Sequence, residues 1–319
     1  MDQLLAALRA AAEPTRLRLL ALAAGGPFCV SELTEILGQS QPRLSRHLKL
    51  LCEAGLLERL REGANMWFAV PADTSGKLAR ELLARIPADD PVLEADRRKA
   101  ARIVAERARV ASESFHRQGA DWDEMRALGL PAQAVEASLL ARVPPTGVDR
   151  LLDIGTGTGR VLELLAPRVR QGIGIDASKA MLALARARLA RAGLSHCSVR
   201  LADMYHLPVP DASVDVAVLQ MVLHHAEQPE RVIGEAARVL RPGGRLLVVD
   251  LAPHTRPDLT GKLAHRWPGF SNDALHRLLT GAGLEPGAAV RVPGPLDVGI
   301  WPATRGAAVA QPEATALFA

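Results

Sequence analysis

The hydrophobic pattern changes character twice along the chain. In the first stretch apolar residues recur at helical spacing. Leu44, Leu48 and Leu51 share one face at i, i+4 and i+7, while Arg43, Arg46, His47 and Lys49 fall mostly off it. Just upstream, Val30–Leu37 reads as a short helix with Ser31 as its N-cap. Gly38 then makes a turn, and Ser40 caps a helix that begins Gln41-Pro42, where proline is tolerated. Gly55 ends that helix. Leu56–Arg61 and Met66–Val70, separated by the turn Glu62-Gly63-Ala64-Asn65, predict a hairpin with basic flanks.

The second stretch, Leu93 to about Gln118, is rich in Ala, Arg and Glu and has neither Gly nor Pro, which predicts one long helix. Ile103, Val104, Val110 and Ala111, followed by Phe115, give it a partly apolar stripe. A stiff helix of this kind serves equally as a spacer packed on one side or as a relay between domains. The third stretch begins near Arg150. Short apolar runs at Leu151–Ile154, Gly172–Asp176, Val199–Ala202, Val214–Leu219 and Leu246–Leu251 alternate with helix-like segments. That alternation predicts a parallel sheet covered by helices.

Two helices joined at a glycine turn and followed by a hairpin describe a winged helix-turn-helix. Its second helix fits the DNA major groove, which admits one helix and exposes base edges. The candidate DNA-contacting residues are Ser40, Gln41, Arg43, Ser45, Arg46, His47 and Lys49 on the helix, and Arg61 on the hairpin. Electrostatics adds little: residues 1–85 carry 11 basic and 9 acidic side chains. The run from Gln41 through Leu57, QPRLSRHLKLLCEAGLL, resembles the recognition-helix signature of the ArsR/SmtB family of dimeric repressors. The resemblance covers about the first 80 residues. It implies binding to a double-stranded DNA operator as a homodimer, with Leu4–Ala12 and the helix near Lys77–Arg85 as dimer elements. The arsenic-sensing members carry C-V-C-[DE] where this chain has Cys29-Val30-Ser31-Glu32. Serine is a poor ligand for a soft metal, so no metal site is expected and Cys29 reads as a small buried hydrophobe.

The strongest chemical signal lies in the third stretch. Leu151–Ile154 enters the turn Gly155-Thr156-Gly157-Thr158-Gly159, and Val161–Leu165 begins a helix. Glycines there allow positive φ and close approach of the backbone to a ligand. The next strand ends in Asp176, 21 residues after Gly155, the spacing at which a carboxylate meets ribose hydroxyls in doubly wound folds. The turn reads G-x-G-x-G and is preceded by Asp153, which separates it from the G-x-G-x-x-G nicotinamide fingerprint.

The D-x-G-x-G-x-G run resembles motif I of class I S-adenosylmethionine (AdoMet) methyltransferases. Leu201-Ala202-Asp203-Met204, Ser213–Val218 and Leu240–Leu246 resemble the end of strand 3, strand 4 and the turn into strand 5 of that family. The resemblance implies a Rossmann-like domain that binds AdoMet or S-adenosylhomocysteine (AdoHcy). Asp153, Gly155, Gly157 and Gly159 form the motif, with the backbone of Gly155 and Gly157 near the methionine part of the ligand. Asp176 then accepts from both ribose hydroxyls, Asp203 from adenine N6, and the Met204 amide meets N1. Ala177 and Met181 pack on the adenine, and Gln220 faces the sulfonium. Asn272–Gly281 reads as a helix, with Ala289–Val292 and Asp297–Trp301 as the closing antiparallel hairpin. His224 and His225 are the candidates for a general base, although packing is the more common role of such a pair after strand 4. The cysteine set of arsenite methyltransferases is absent, which argues against arsenic methylation.

Composition bounds the rest. With 319 residues and 48% hydrophobic content, the chain is expected to fold as two domains, a mostly α winged helix-turn-helix and an α/β doubly wound class I methyltransferase domain. The expected division is residues 1–85 for DNA binding, 86–120 for a helical connector, 121–305 for the methyltransferase-like domain and 306–319 for a flexible tail. Cys29, Cys52 and Cys197 are too widely spaced for a metal knuckle or a disulfide framework, which fits a reduced, cytoplasmic setting. No secretory signal and no apolar stretch of about 18 residues is present, so no membrane association is expected. The fused architecture resembles the SahR-type regulators of methionine metabolism. It implies a transcription regulator that senses AdoMet or AdoHcy. The alternative is a working small-molecule methyltransferase that also represses its own operon.

Overall fold

The computed structural model describes residues 1–62, 65–71, 76–117, 128–256 and 266–306. By its contacts the chain divides into two compact units: residues 1–124 with 155–203, and residues 125–154 with 204–319. The first unit joins the N-terminal helices to the glycine turn and the two strands that follow it.

The N-terminal part opens with α1 (Asp2–Ala11) and α2 (Pro14–Ala24). Glu13 caps α2 by accepting from the Arg16 amide at 2.8 Å, and Pro14 sits in the first turn, where a missing N–H costs nothing. Strand β1 (Phe28–Cys29) leads into α3 (Val30–Leu37). The N-cap of α3 is Cys29, not Ser31 as expected. The Glu32 carboxylate reaches back to the Cys29 amide at 2.9 Å, and this bond fixes the helix start two residues earlier than the serine alone suggests. Cys29 is therefore half-exposed, with its Sγ 3.0 Å from Ser31 Oγ, and is not a buried hydrophobe. Gly38 closes α3 in the left-handed conformation, and α4 (Gln41–Glu53) follows. Leu44, Leu48 and Leu51 are at most 1% exposed and pack with Leu19, Leu20, Leu33 and Ile36 into one core. Strands β2 (Glu58–Glu62) and β3 (Asn65–Ala69) form the wing, with β1 on the outer side of β3. The expected turn residues Gly63 and Ala64 lie outside the described residues.

Helix α5 (Lys77–Leu83) precedes the long α6 (Pro91–Arg117), whose start is capped by Asp90 on the Val92 and Leu93 amides. This helix is fastened to the N-terminal core. Ala100, Ile103 and Val104 pack against that core, and the Asp96 carboxylate takes two bonds from Arg18, at 2.6 and 2.7 Å. The stripe residues Val110, Ala111 and Phe115 have side chains outside the described set. Residues 118–127 and 307–319, which hold the expected end of the connector, the start of the next domain and the tail, also lie outside it.

The remaining strands are divided between the two units, and the second unit holds a mixed sheet of parallel and antiparallel pairs. In the first unit, α8 (Arg160–Leu165), β5 (Val169–Asp176), α9 (Lys179–Arg191) and β6 (Cys197–Leu201) follow the glycine turn, and β5 and β6 pair in parallel. In the second, α7 (Ala132–Leu140) precedes β4 (Val148–Ile154), which pairs in parallel with β7 (Val214–Gln220). Helix α10 (Pro229–Val239) leads to β8 (Leu240–Leu251), and α11 (Asn272–Gly281) to β9 (Leu284–Pro286), β10 (Val290–Val292) and β11 (Val298–Arg305). Strands β4 and β7 are buried along almost their whole length, as parallel strands covered on both faces must be. Within the expected segment Leu240–Leu246 the register of β8 against β7 shifts between Val214 and Val216, and Gly243 takes a positive φ of 78°. Among the described residues no helix is long and apolar enough to cross a membrane.

Candidate functional site

Two places in the first unit gather the residues that the sequence singles out. One is the exposed face of α4. Because Leu44, Leu48 and Leu51 face the core, Gln41, Arg43, Ser45, Arg46 and Lys49 are left on the outside, with Ser40 exposed at the helix start. Arg61 is exposed on the wing. His47 is the exception. Its ring turns inward, 3.8 Å from Glu13, with only 14% of the side chain exposed. Burial holds its pKa below the ordinary histidine value, helped by the positive charges of Arg16, Arg43 and Arg46 and opposed by Glu13. Cys52 is half-buried against the core, and burial pushes its thiol pKa up.

The other place is the glycine turn. Gly155, Gly157 and Gly159 all have positive φ, at 71°, 52° and 76°. A side chain would strain each of them, so this backbone path is available to the sequence only through glycine. The amides of Gly155 and Thr156 both donate to the Ile175 carbonyl, at 2.7 and 2.9 Å, and pin the turn to the end of β5. The fit beneath the turn is close. A Cβ at Gly174 would lie 2.6 Å from Thr156 Oγ1 and 2.8 Å from Leu162 Cδ1. A Cβ at Gly157, by contrast, would meet nothing within 4 Å, so the turn has an open side where a ligand can approach the backbone.

Asp176 closes this turn. One carboxylate oxygen accepts from the Gly157 amide at 2.8 Å and the other from the Ser178 amide at 2.8 Å. Burial raises its pKa above the ordinary value, against these amide bonds and that of Ala177. A group held partly desolvated has unspent capacity for a polar ligand. Met181 lies in the first turn of α9, where Ser178 caps the helix by accepting from the Met181 amide at 3.3 Å. Ala177 and Asp203 are exposed. Ser178 was not singled out, although a serine three residues before Met181 at a strand-to-helix junction is a capping signal.

The second unit holds Asp153, Met204, Gln220, His224 and His225. Asp153 is 1% exposed at the end of β4, and Gln220 ends β7. His224 is fully buried. Its Nδ1 lies 2.6 Å from Asp250 Oδ1, and its amide donates to Asp250 Oδ2 at 3.2 Å. The neighbouring ring of His225 sits 4.1 Å away. The His224 carbonyl accepts the amides of Arg266 and Trp267, and the Trp267 indole donates to Ala226 at 2.8 Å. His224 thus ties a loop to the end of β8. Asp250 was not singled out; an acid closing the apolar run Leu246–Val249 was its signal in the sequence. Among the described residues no cluster of His, Cys, Asp or Glu is placed to hold a metal ion.

Two family models match the chain: the bacterial regulatory protein, arsR family, over residues 13–59, and a methyltransferase domain over residues 152–248. The chain joins an ArsR-family helix-turn-helix to a methyltransferase domain. The methyltransferase domain is 34% identical, over 177 residues, to the trans-aconitate 2-methyltransferase of Methylobacterium nodulans, covering 54% of this chain and 60% of that protein. It is 36% identical, over 150 residues, to the arsenite methyltransferase of Halobacterium salinarum, covering 43% of this chain and 37% of that one. The chain therefore spans less than two thirds of either relative. A crystal structure of a putative methyltransferase from Bacillus halodurans superposes with a TM-score of 0.50 at 19% identity, covering 54% of this chain and 99% of that one, which shows the class I methyltransferase fold.

Proposed function

We propose that the protein is a DNA-binding transcription regulator whose methyltransferase domain binds AdoMet or AdoHcy as its effector. The observation that carries this reading is the glycine turn. Three glycines hold a backbone path open on one side, and the carboxylate of Asp176 is bonded to its Gly157 amide. In this reading Gly155 and Gly157 present backbone to the methionine part of the ligand, and Asp176 accepts from the ribose. AdoMet supplies an electrophilic methyl on a sulfonium. AdoHcy lacks that methyl and its charge, and a pocket can separate two such ligands by ~1–3 kcal/mol.

DNA recognition rests on the family match and on the outward placement of Gln41, Arg43, Ser45, Arg46 and Lys49. A homodimer is proposed through α1, whose Leu4, Leu5 and Leu8 are 40–50% exposed, a sizeable apolar strip for a helix in water. The domain division at about residues 85, 120 and 305 and the cytoplasmic setting are kept as part of the proposal. A ligand on the turn would also touch packing that continues to the wing. Gly159 abuts Ala185 of α9, where a Cβ would lie 3.1 Å away, and the next residue, Arg186, lies over the Trp67 ring. Two ligands can drive different DNA affinities only if they favour different arrangements of such packing.

The second reading, an active small-molecule methyltransferase, is favoured by the named methyltransferases that match the domain. The full burial of His224 against Asp250 weighs against it, because a base out of reach of solvent serves packing better than proton transfer. The test is a DNA-binding titration with AdoMet and with AdoHcy, using operator fragments selected from a random library. Regulation predicts that at least one of the two ligands shifts DNA affinity from its ligand-free value; DNA affinity unchanged by both would remove the sensor.

A further inference from the structure

A second cavity in the first unit is lined by none of the residues of the glycine turn. Its volume is about 540 Å³, within the range that holds a small organic ligand. Much of its wall is apolar. The wing contributes Leu60, α6 contributes Val104, α9 contributes Leu189, and Pro27 and Phe28 line it just ahead of α3.

Two uncharged polar side chains also stand on this wall, Gln171 of β5 and Ser198 of β6. Ser198 pairs in register with Ile173, two residues after Gln171. Side chains alternate along a strand and register partners share a face, so Gln171 and Ser198 stand on the same face of neighbouring strands. Gln171 is only 5% exposed, yet its side-chain oxygen has no hydrogen-bond partner among the described residues. The buried Ser198 hydroxyl has none there either. Buried polar atoms are nearly always bonded, so an acceptor and a donor on one face call for an occupant that complements both.

The charge of that occupant follows from the arginines around it, which are already engaged. Arg200 lies 3.3 Å from Glu58, and Arg107 lies 3.3 Å from Glu32. Arg80 donates to the Pro71 carbonyl at 2.6 Å. Arg186 donates to the Val199 carbonyl at 3.4 Å and lies 4.7 Å from the centre of the Trp67 ring. A charged ligand would shed its own hydration and compete with these partners, whereas an uncharged one leaves them in place.

We propose that this cavity binds an uncharged carboxamide or lactam with an apolar body. The ligand N–H donates to Gln171 Oε1, its carbonyl accepts from Ser198 Oγ, and its apolar body lies along Leu60, Val104 and Leu189. The assignment does not depend on what the glycine turn binds.

The probe is octanamide, titrated calorimetrically into the full-length protein. One comparator is nonan-2-one, which has the same shape with a methyl in place of the NH₂; the other is octanoate, which has the same shape with a negative charge. Saturable 1:1 binding of octanamide is expected, about fivefold or more tighter than either comparator. Gln171→Leu should erase the advantage over nonan-2-one: octanamide weakens about fivefold while nonan-2-one keeps its affinity. Ser198→Ala, a smaller change that preserves packing, should weaken both by the same few-fold factor, because both present a carbonyl. Melting curves check that the two variants fold. Absence of saturable octanamide binding, which leaves only water to satisfy these atoms, overturns the proposal. So does nonan-2-one or octanoate binding as tightly as octanamide, or full octanamide affinity in folded Gln171→Leu or in folded Ser198→Ala.

Discussion

The face of α4 and the glycine turn recognise by opposite means. On α4 the core leucines hold the helix, and the outward side chains Arg43, Arg46 and Lys49 contribute almost nothing to the fold. In the turn, recognition falls to backbone amides, and the residues that shape it are packed beneath it: Gly174 under Thr156, and Gly159 against Ala185. A recognition surface made of side chains can therefore be altered without touching stability. One made of backbone cannot, because the path of the chain is itself the binding element.

The largest effect should come from Gly174→Val. Its added carbons would collide with Thr156 and Leu162, and overpacking of this kind costs ~3 kcal/mol. Urea unfolding should register that loss, and calorimetry should find no AdoMet binding. Retained binding at reduced stability would separate shape from recognition and break the contrast. Next is Asp176→Ala. Loss of charged hydrogen bonds amounts to ~1.5–3 kcal/mol, so AdoMet and AdoHcy should weaken together by roughly 10- to 100-fold. DNA affinity without ligand should stay unchanged in a fluorescence assay.

Arg46→Ala should cost ~1–3 kcal/mol in operator affinity if the side chain reaches a base. If it reaches only a phosphate, the salt slope should fall by about 1. Either way AdoHcy affinity and the unfolding midpoint should be those of the wild type. The smallest effect belongs to the inward-facing exception on α4. Burial and nearby arginines hold the pKa of His47 below its ordinary 6.5. For Glu13, burial raises the pKa, but bonds from the Arg16 amide and Thr15, with the charge of His47, bring it below 4.5. Both groups bind a proton less readily folded than unfolded, so the stability they contribute is present at neutral pH and is lost as the pH falls. The loss sets in below 6.5 for His47 and below 4.5 for Glu13. Unfolding midpoints between about pH 7.5 and 5 should fall in the wild type and flatten in His47→Gln.

Much of this architecture was readable before any coordinates. The leucine spacing of α4, the strand–turn–helix around Gly155 and the acid at the end of β5 depend on local periodicity and on short-range turn chemistry, which the linear sequence carries. Other features depended on which distant groups met. Ser31 reads as a cap until the Glu32 carboxylate is seen on the Cys29 amide. His47 reads as a DNA contact until its neighbour across the core is seen to be Glu13. His224 reads as packing or as a base, and nothing local shows that its ring meets Asp250, 26 residues further on.

The sequence by itself determined the two kinds of recognition element, because a helix with one leucine face and a turn of glycines are each set by residues adjacent in the chain. Only the tertiary structure decided what lies between them. The arginines around Trp67, the side-chain oxygen of Gln171 and the cavity beside them come from segments far apart in sequence. No local pattern marks them, because charge balance and burial are properties of a neighbourhood that exists only once the chain has folded.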